Sequence, residues 1–167
     1  MSYTGKQFEQ DFFEQAKEWV FDALVTRLHD TTNKFRGIAN PCDYIIATKY
    51  GTVFAELKTV KGVSLPFSNI SDYQWKSLLK AEINDYSLGG ILVYFQRNDK
   101  LVWYPLAHLQ NLKQDGAKSI NCETSPEWGF EVEHTKKRVR LTIPFKNVLK
   151  AFEKHWQEVE NGKAETS

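Results

Sequence analysis

The apolar residues of this chain keep two rhythms, and the changes between them mark its elements. Phe8, Phe12, Ala16, Trp19, Val20, Ala23, Leu24 and Leu28 recur at helical spacing, which predicts a first helix running to about His29. Thr4-Gly5-Lys6-Gln7 has the form of a capping box that opens this helix, and the polar run Asp30-Thr31-Thr32-Asn33 closes it. A period of two follows in Asp43-Tyr44-Ile45-Ile46-Ala47-Thr48 and again in Thr52-Val53-Phe54-Ala55-Glu56-Leu57-Lys58-Thr59. These are strands, and Tyr50-Gly51 between them predicts an antiparallel hairpin. Beyond a loop over 60–69, Ser71-Asp72-Tyr73-Gln74 is a second capping box. The helix it opens reaches about Tyr86, with Trp75, Leu78, Leu79 and Ile83 inward, before Gly89-Gly90 interrupts the pattern.

The continuous apolar run over 91–95 reads as a buried strand, 101–104 as its neighbour, and 106–112 as a short helix behind Pro105. Residues 114–127 are polar and predict a loop. Stretches 130–133 and 138–143 predict a hairpin around Thr135-Lys136-Lys137. Pro144 then suits the start of a last helix with an apolar stripe at Val148, Leu149, Phe152, Trp156 and Val159, ended by Gly162. Helix, hairpin, helix, strand, strand is an α/β order with a central mixed β-sheet flanked by helices. The expectation is one domain over 1–167, with a core over about 5–112 and an accessory hairpin and helix over about 128–161.

Composition excludes several classes. With 167 residues, 41% of them hydrophobic, the chain can bury a real core and is not of disordered type. No apolar run is long enough to span a membrane, and the N-terminus lacks the form of a signal peptide. Cys42 and Cys122 are isolated, which argues against a structural zinc site and for a reducing, cytoplasmic setting. Against 22 Lys and Arg stand 21 Asp and Glu, so the total charge does not advertise a nucleic-acid partner. The distribution says more. Acid gathers in the first helix, and base gathers at Lys34 and Arg36, at Lys49, Lys58 and Lys61, and at Lys136, Lys137, Arg138 and Arg140.

The chemistry centres on the hairpin. Asp43 is followed thirteen residues later by Glu56-Leu57-Lys58. Glu56 and Lys58 share one face of their strand while Leu57 points to the other. Pairing about Tyr50-Gly51 brings the Asp43 end of one strand beside the Glu56–Lys58 end of the next. Charge at the middle of a sheet is costly without a partner or a task. Two neighbouring carboxylates make a hard oxygen site that suits Mg²⁺, and a lysine beside them can hold a phosphate or a water. The alternative is a solvated Glu–Lys pair with Asp43 as a residue at the start of a strand. The four histidines show no metal-binding spacing, and the tryptophans read as packing.

Asp on one central strand and E-x-K on the next resembles the PD-(D/E)XK nuclease superfamily, with Pro41-Cys42-Asp43 in place of the Pro-Asp element. Over about 5–112 the chain looks like the RecU-type Holliday-junction resolvases and their phage relatives. The resemblance rests on Gly5-Lys6-Gln7-Phe8-Glu9, Asp43, Glu56-Leu57-Lys58-Thr59, Ser64-Leu65-Pro66-Phe67, Asn69, Gln74 and Gly89-Gly90. It implies a restriction-endonuclease-like core and a Mg²⁺-dependent endonuclease, with Mn²⁺ as a substitute, that resolves four-way DNA by paired nicks. The products it implies carry a 5′-phosphate and a 3′-hydroxyl. Asp43, Glu56 and the Leu57 carbonyl are the implied metal ligands, and Lys58 the residue that orients the attacking water. Glu9 is open between a metal role and a carboxylate favoured by the helix dipole. Gln74 is open between a site role and the capping box. Lys34, Arg36, Lys61, Lys136, Lys137, Arg138 and Arg140 are candidate phosphate contacts, and a homodimer is the expected assembly, with Tyr94, Phe95 and Trp103 as interface candidates. The setting implied is a bacterial cell or its phage.

One departure stands out. RecU-type enzymes carry a long basic stalk between the first helix and the catalytic Asp, and only about thirteen residues separate His29 from Asp43 here. Cutting of duplex or other branched DNA, and DNA binding without cutting, are therefore carried as competing readings.

Overall fold

The structure is a computed structural model, which describes residues 3–19, 21–29, 39–82 and 84–166. Helix α1 (Gly5–Ala16) opens at the expected capping box: Thr4 accepts from the Gln7 backbone, and the Gln7 side chain accepts from Thr4. It stops at Ala16, well short of His29. Residues Ala23–Arg27 form a strand, β1, which pairs antiparallel with β2 (Tyr44–Thr48). The run Ala23, Val25, Arg27 has period two as well as helical spacing, and sheet pairing decides between them.

Strand β3 (Gly51–Val60) pairs antiparallel with β2 in the register Tyr44↔Ala55, which is the predicted hairpin. Gly51 has φ +146°, and a Cβ there would strike the Tyr86 carbonyl, so the turn requires glycine. After β4 (Ser64–Pro66) and a turn of 3₁₀-helix (Phe67–Asn69), α2 (Asp72–Ala81) begins at the second capping box. It is five residues shorter than expected, because Ser87–Phe95 is already strand β5. Gly89 and Gly90 thus lie inside a buried strand. A Cβ at Gly89 would meet the Leu78 backbone, so this glycine lets α2 press onto the sheet.

Strand β6 (Lys100–Pro105) and α3 (Leu106–Gln114) follow as predicted. In the expected loop, β7 (Ser119–Asn121) pairs with β4. Strand β8 (Phe130–Glu131) joins β6 in the main sheet, so the distal hairpin is instead β9 (Thr135–Lys137) with β10 (Arg140–Thr142). Helix α4 (Phe145–Thr166) continues through Gly162, which lies in open space where nothing forces a break.

The main sheet runs β1-β2-β3-β5-β6-β8, parallel only between β3 and β5. One face carries α1, α4 and the β9–β10 hairpin, over a core that includes Phe8, Phe12, Tyr44, Leu92, Trp103, Phe152 and Trp156. The other face carries α2 and α3, over Leu65, Trp75, Leu78, Ile91, Val93 and Leu109. Tyr94, Phe95 and Trp103 are fully buried in these cores and are not available to a dimer interface. Continuous apolar runs in β5 and β6, covered on both faces, have no side left for a partner.

Candidate active site

The hairpin delivers its charged residues to the α2–α3 face. Val53, Ala55 and Leu57 of β3 point into the α1–α4 core, so Glu56 and Lys58 point the other way, together with Asp43 just before β2. Strand β2 leaves β3 here. Asp43 N–H donates to the Ala55 carbonyl at 3.1 Å, and beyond that bond no strand among the described residues pairs with β3 on this edge. The Asp43 carboxylate takes over the ladder, accepting the Leu57 N–H at 2.7 Å. A residue's N–H and C=O leave a strand on the same edge, so the Leu57 carbonyl also faces the side that β2 vacates.

Glu56 is only 2% exposed. Its Oε1 accepts from Gln74 Nε2 at 2.6 Å and from Lys58 Nζ at 2.8 Å. Its Oε2 is buried with no hydrogen-bond partner among the described residues. Burial raises the Glu56 pKa to about 7, and the Asp43 charge pushes the same way against the pull of Lys58 and Gln74. Next door, burial first and then the Glu56 and Asp43 charges raise the Cys42 thiol to about 12. Cys42 therefore stays a protonated packing residue, its Sγ donating to the Tyr44 carbonyl at 3.2 Å.

Gln74 closes the expected capping box and also bonds Glu56. Its Oε1 accepts from the Ser71 N–H at 3.2 Å, closing the capping box of α2. That leaves Nε2 to face Glu56, so the helix cap sets which end of the amide meets the carboxylate. The expected Ser71–Gln74 bond thus orients the amide that meets Glu56. Glu9 comes from the opposite face of the sheet. Arg27 Nη2 holds its carboxylate at 2.7 Å, and its carbonyl accepts from Tyr44 Oη at 3.2 Å. This ion pair is a contact that the sequence reading of Glu9 did not include. Arg27 escaped notice because the helical reading of its segment hid the strand that presents it.

Of the candidate phosphate contacts, Lys34 and Arg36 lie outside the described residues. Lys61 is exposed in the bend directly after β3. Lys136, Lys137, Arg138 and Arg140 belong to the β9–β10 hairpin on the α1 side, away from Glu56. Arg140 Nε bonds Asp11 Oδ1 at 2.7 Å, and Lys136 sits 5.9 Å from the Tyr94 ring centre.

Among the described residues no three His, Cys, Asp or Glu side chains form a metal cage. A pair of carboxylates is still what Mg²⁺ favours, since it keeps waters and takes further oxygens from substrate phosphate. The donor set of Asp43, Glu56 and the Leu57 carbonyl consists of hard oxygens, and the unpartnered Glu56 Oε2 fits a cation.

No family model matches the chain, and no curated protein matches it in sequence. A solved structure does match. Hjc of Archaeoglobus fulgidus, a Holliday junction resolvase from an archaeal hyperthermophile, superposes with a TM-score of 0.53 at 18% identity. The match covers 76% of this chain and 95% of that one. The fold is thus restriction-endonuclease-like: among the described residues, a central mixed six-stranded sheet flanked by four helices.

Proposed function

We propose that this protein is a Mg²⁺-dependent endodeoxyribonuclease that resolves four-way DNA junctions. The observation that carries the reading is Glu56, buried beside Lys58 and Asp43 with one carboxylate oxygen unpartnered. The likeness of fold to a Holliday junction resolvase and the resemblance to RecU-type and phage enzymes support the choice of substrate. Asp43, Glu56 and the Leu57 carbonyl would hold the cation. Bound there, it supplies Lewis-acid polarisation of the scissile phosphate and acidifies a water.

The chain's own residues do the rest. Gln74 fixes Glu56 Oε1 and so aims Oε2. Lys58, about a quarter exposed, keeps its ammonium at the mouth of the site. From there it orients the attacking water and offsets charge on the phosphorus as the oxygens crowd it. Lys61 extends that positive edge along the DNA backbone. A junction with two-fold symmetry needs two nicks, which a homodimer with two such sites provides. No helix among the described residues is long and apolar enough to cross a membrane.

A second reading has its own observation. The short segment between β1 and Asp43 leaves no room for a long stalk, which favours cutting of duplex or other branched DNA. The test is cleavage of a labelled mobile four-way junction beside linear duplex of the same sequence, with Mg²⁺ or EDTA, by wild type and Asp43→Asn. Paired, symmetric, Mg²⁺-dependent nicks in the junction alone, lost in the variant, are expected. Equal cutting of duplex moves the assignment to the second reading. Junction binding with no cutting in any divalent metal overturns catalysis and leaves a DNA-binding protein.

A further inference from the structure

A groove of about 520 Å³ lies on the same face of the sheet as Glu56, at the first turn of α2. Phe67, Ser68, Ser71, Asp72, Lys113 and Lys118 line it. Its walls are tied together. Phe67 N–H donates to the Lys118 carbonyl at 2.9 Å, and Pro66 pairs with Ser119 across β4–β7. Lys113 Nζ stands 4.3 Å from the Trp75 ring centre, and the indole N–H bonds Gln110 at 2.6 Å. The aromatic platform therefore fixes one ammonium at the groove, where a cation–π contact holds it without neutralising it. Among the described residues neither Lys113 nor Lys118 has an ion-pair partner, and Asp72 is the one acid in the lining.

The groove is coupled to the catalytic face by one residue pair. Ser71, in its wall, bonds Gln74, and Gln74 bonds Glu56. The first turn of α2 thus stands between the groove and Glu56, and the groove carries two lysines against one acid. From these placements we infer that the groove is a second phosphate subsite, in which Lys113 and Lys118 hold the DNA backbone beside the cleaved position. The inference rests on the nuclease reading and adds to it the segment 64–71, whose sequence pattern the catalytic residues leave unused. Phosphate held here adds affinity without touching the reacting atoms, so it acts on binding rather than on turnover.

The test compares wild type, the Lys113→Ala/Lys118→Ala double variant and the Lys113→Arg/Lys118→Arg double variant. Junction binding is measured against NaCl concentration without divalent metal, and steady-state cleavage in Mg²⁺. Both lysines are exposed, so all three proteins should fold, the alanine pair melting slightly lower for loss of the Lys113–Trp75 contact. The alanine pair should bind more weakly, on the order of tenfold per lysine at 0.1 M salt, with a salt slope smaller by about 2. Its KM should rise while kcat holds, and the arginine pair should restore both slope and affinity. Unchanged affinity and slope in the alanine pair, beside a wild type that binds and cuts, overturn the subsite and leave the nuclease reading intact. A wild type that binds no DNA overturns both.

Discussion

Asp11 and Glu56 are buried to almost the same degree, 3% and 2% exposed, on opposite faces of one sheet. Their surroundings differ in kind. Asp11 accepts from Tyr3 Oη at 2.7 Å, Arg140 Nε at 2.7 Å and the Leu141 N–H at 2.8 Å, so both oxygens are satisfied. It ties the N-terminal segment and the β9–β10 hairpin to α1. Glu56 has two donors on one oxygen and none on the other. A buried carboxylate with a full set of donors contributes to the fold. One left half-satisfied costs stability unless a cation completes it. Glu82 is intermediate: its Oε2 accepts from the Ala107 N–H, while its Oε1 is buried without a hydrogen bond among the described residues and has His155 Nε2 3.3 Å away.

The largest expected effect tests the structural member of the pair. Asp11→Ala strands the Tyr3 hydroxyl and the Leu141 N–H and should cost about 3–5 kcal/mol in urea unfolding. DNA cleavage per folded molecule should be unchanged. Loss of cleavage at full stability would mean that Asp11 belongs to the chemistry and that the two carboxylates do not differ in kind.

Gln74 comes next, because it separates cap from site. Gln74→Glu keeps an acceptor for the Ser71 N–H but turns a like charge on Glu56 in place of a donor. Cleavage should fall by roughly 10–100-fold, the usual cost of removing a residue that orients a metal ligand. Melting should fall as well, because two carboxylates then face each other in a buried site. Full activity in this variant would reduce Gln74 to a helix cap.

The last expected effect is a pH dependence of stability. Glu56 titrates in the folded protein near pH 7, above its ordinary value of 4.5, because burial disfavours its charge. Its proton is thus held more tightly in the folded state. Relative stability is fully present below about pH 4.5 and falls as pH rises toward about 7, by about 1.4 kcal/mol for each pH step of one. The difference in unfolding free energy between wild type and Glu56→Gln, followed without divalent metal from pH 4.5 to 8, should trace that fall. A flat difference would mean that the Glu56 charge is already compensated.

The sequence made the placement of Asp43, Glu56 and Lys58 legible where the spacing of one strand determines it. Glu56 and Lys58 share a face because they are two apart, and the Tyr50-Gly51 turn fixes the register that brings up Asp43. Both capping boxes were visible for the same local reason. The failures are non-local. The segment 23–27 satisfies a helix and a strand alike, and only β2 beside it chooses. Strands β4 and β7 pair across more than fifty residues, with no run long enough to announce them. The partners of Glu9 and Asp11, Arg27 and Arg140, come from strands distant in sequence, so no motif could show that both acids are ion-paired. Burial of Tyr94, Phe95 and Trp103 likewise depends on helices that cover both faces of β5 and β6.

The most direct test of the contrast is to count Mn²⁺ bound at pH 8, by electron paramagnetic resonance, in wild type, Glu56→Gln and Asp11→Asn, each with an uncleavable four-way junction. Bound Mn²⁺ is expected at the active site of wild type and of folded Asp11→Asn, with its loss in Glu56→Gln. Equal binding in Glu56→Gln would contradict this, since the unpartnered oxygen of Glu56 would then not be what holds the metal.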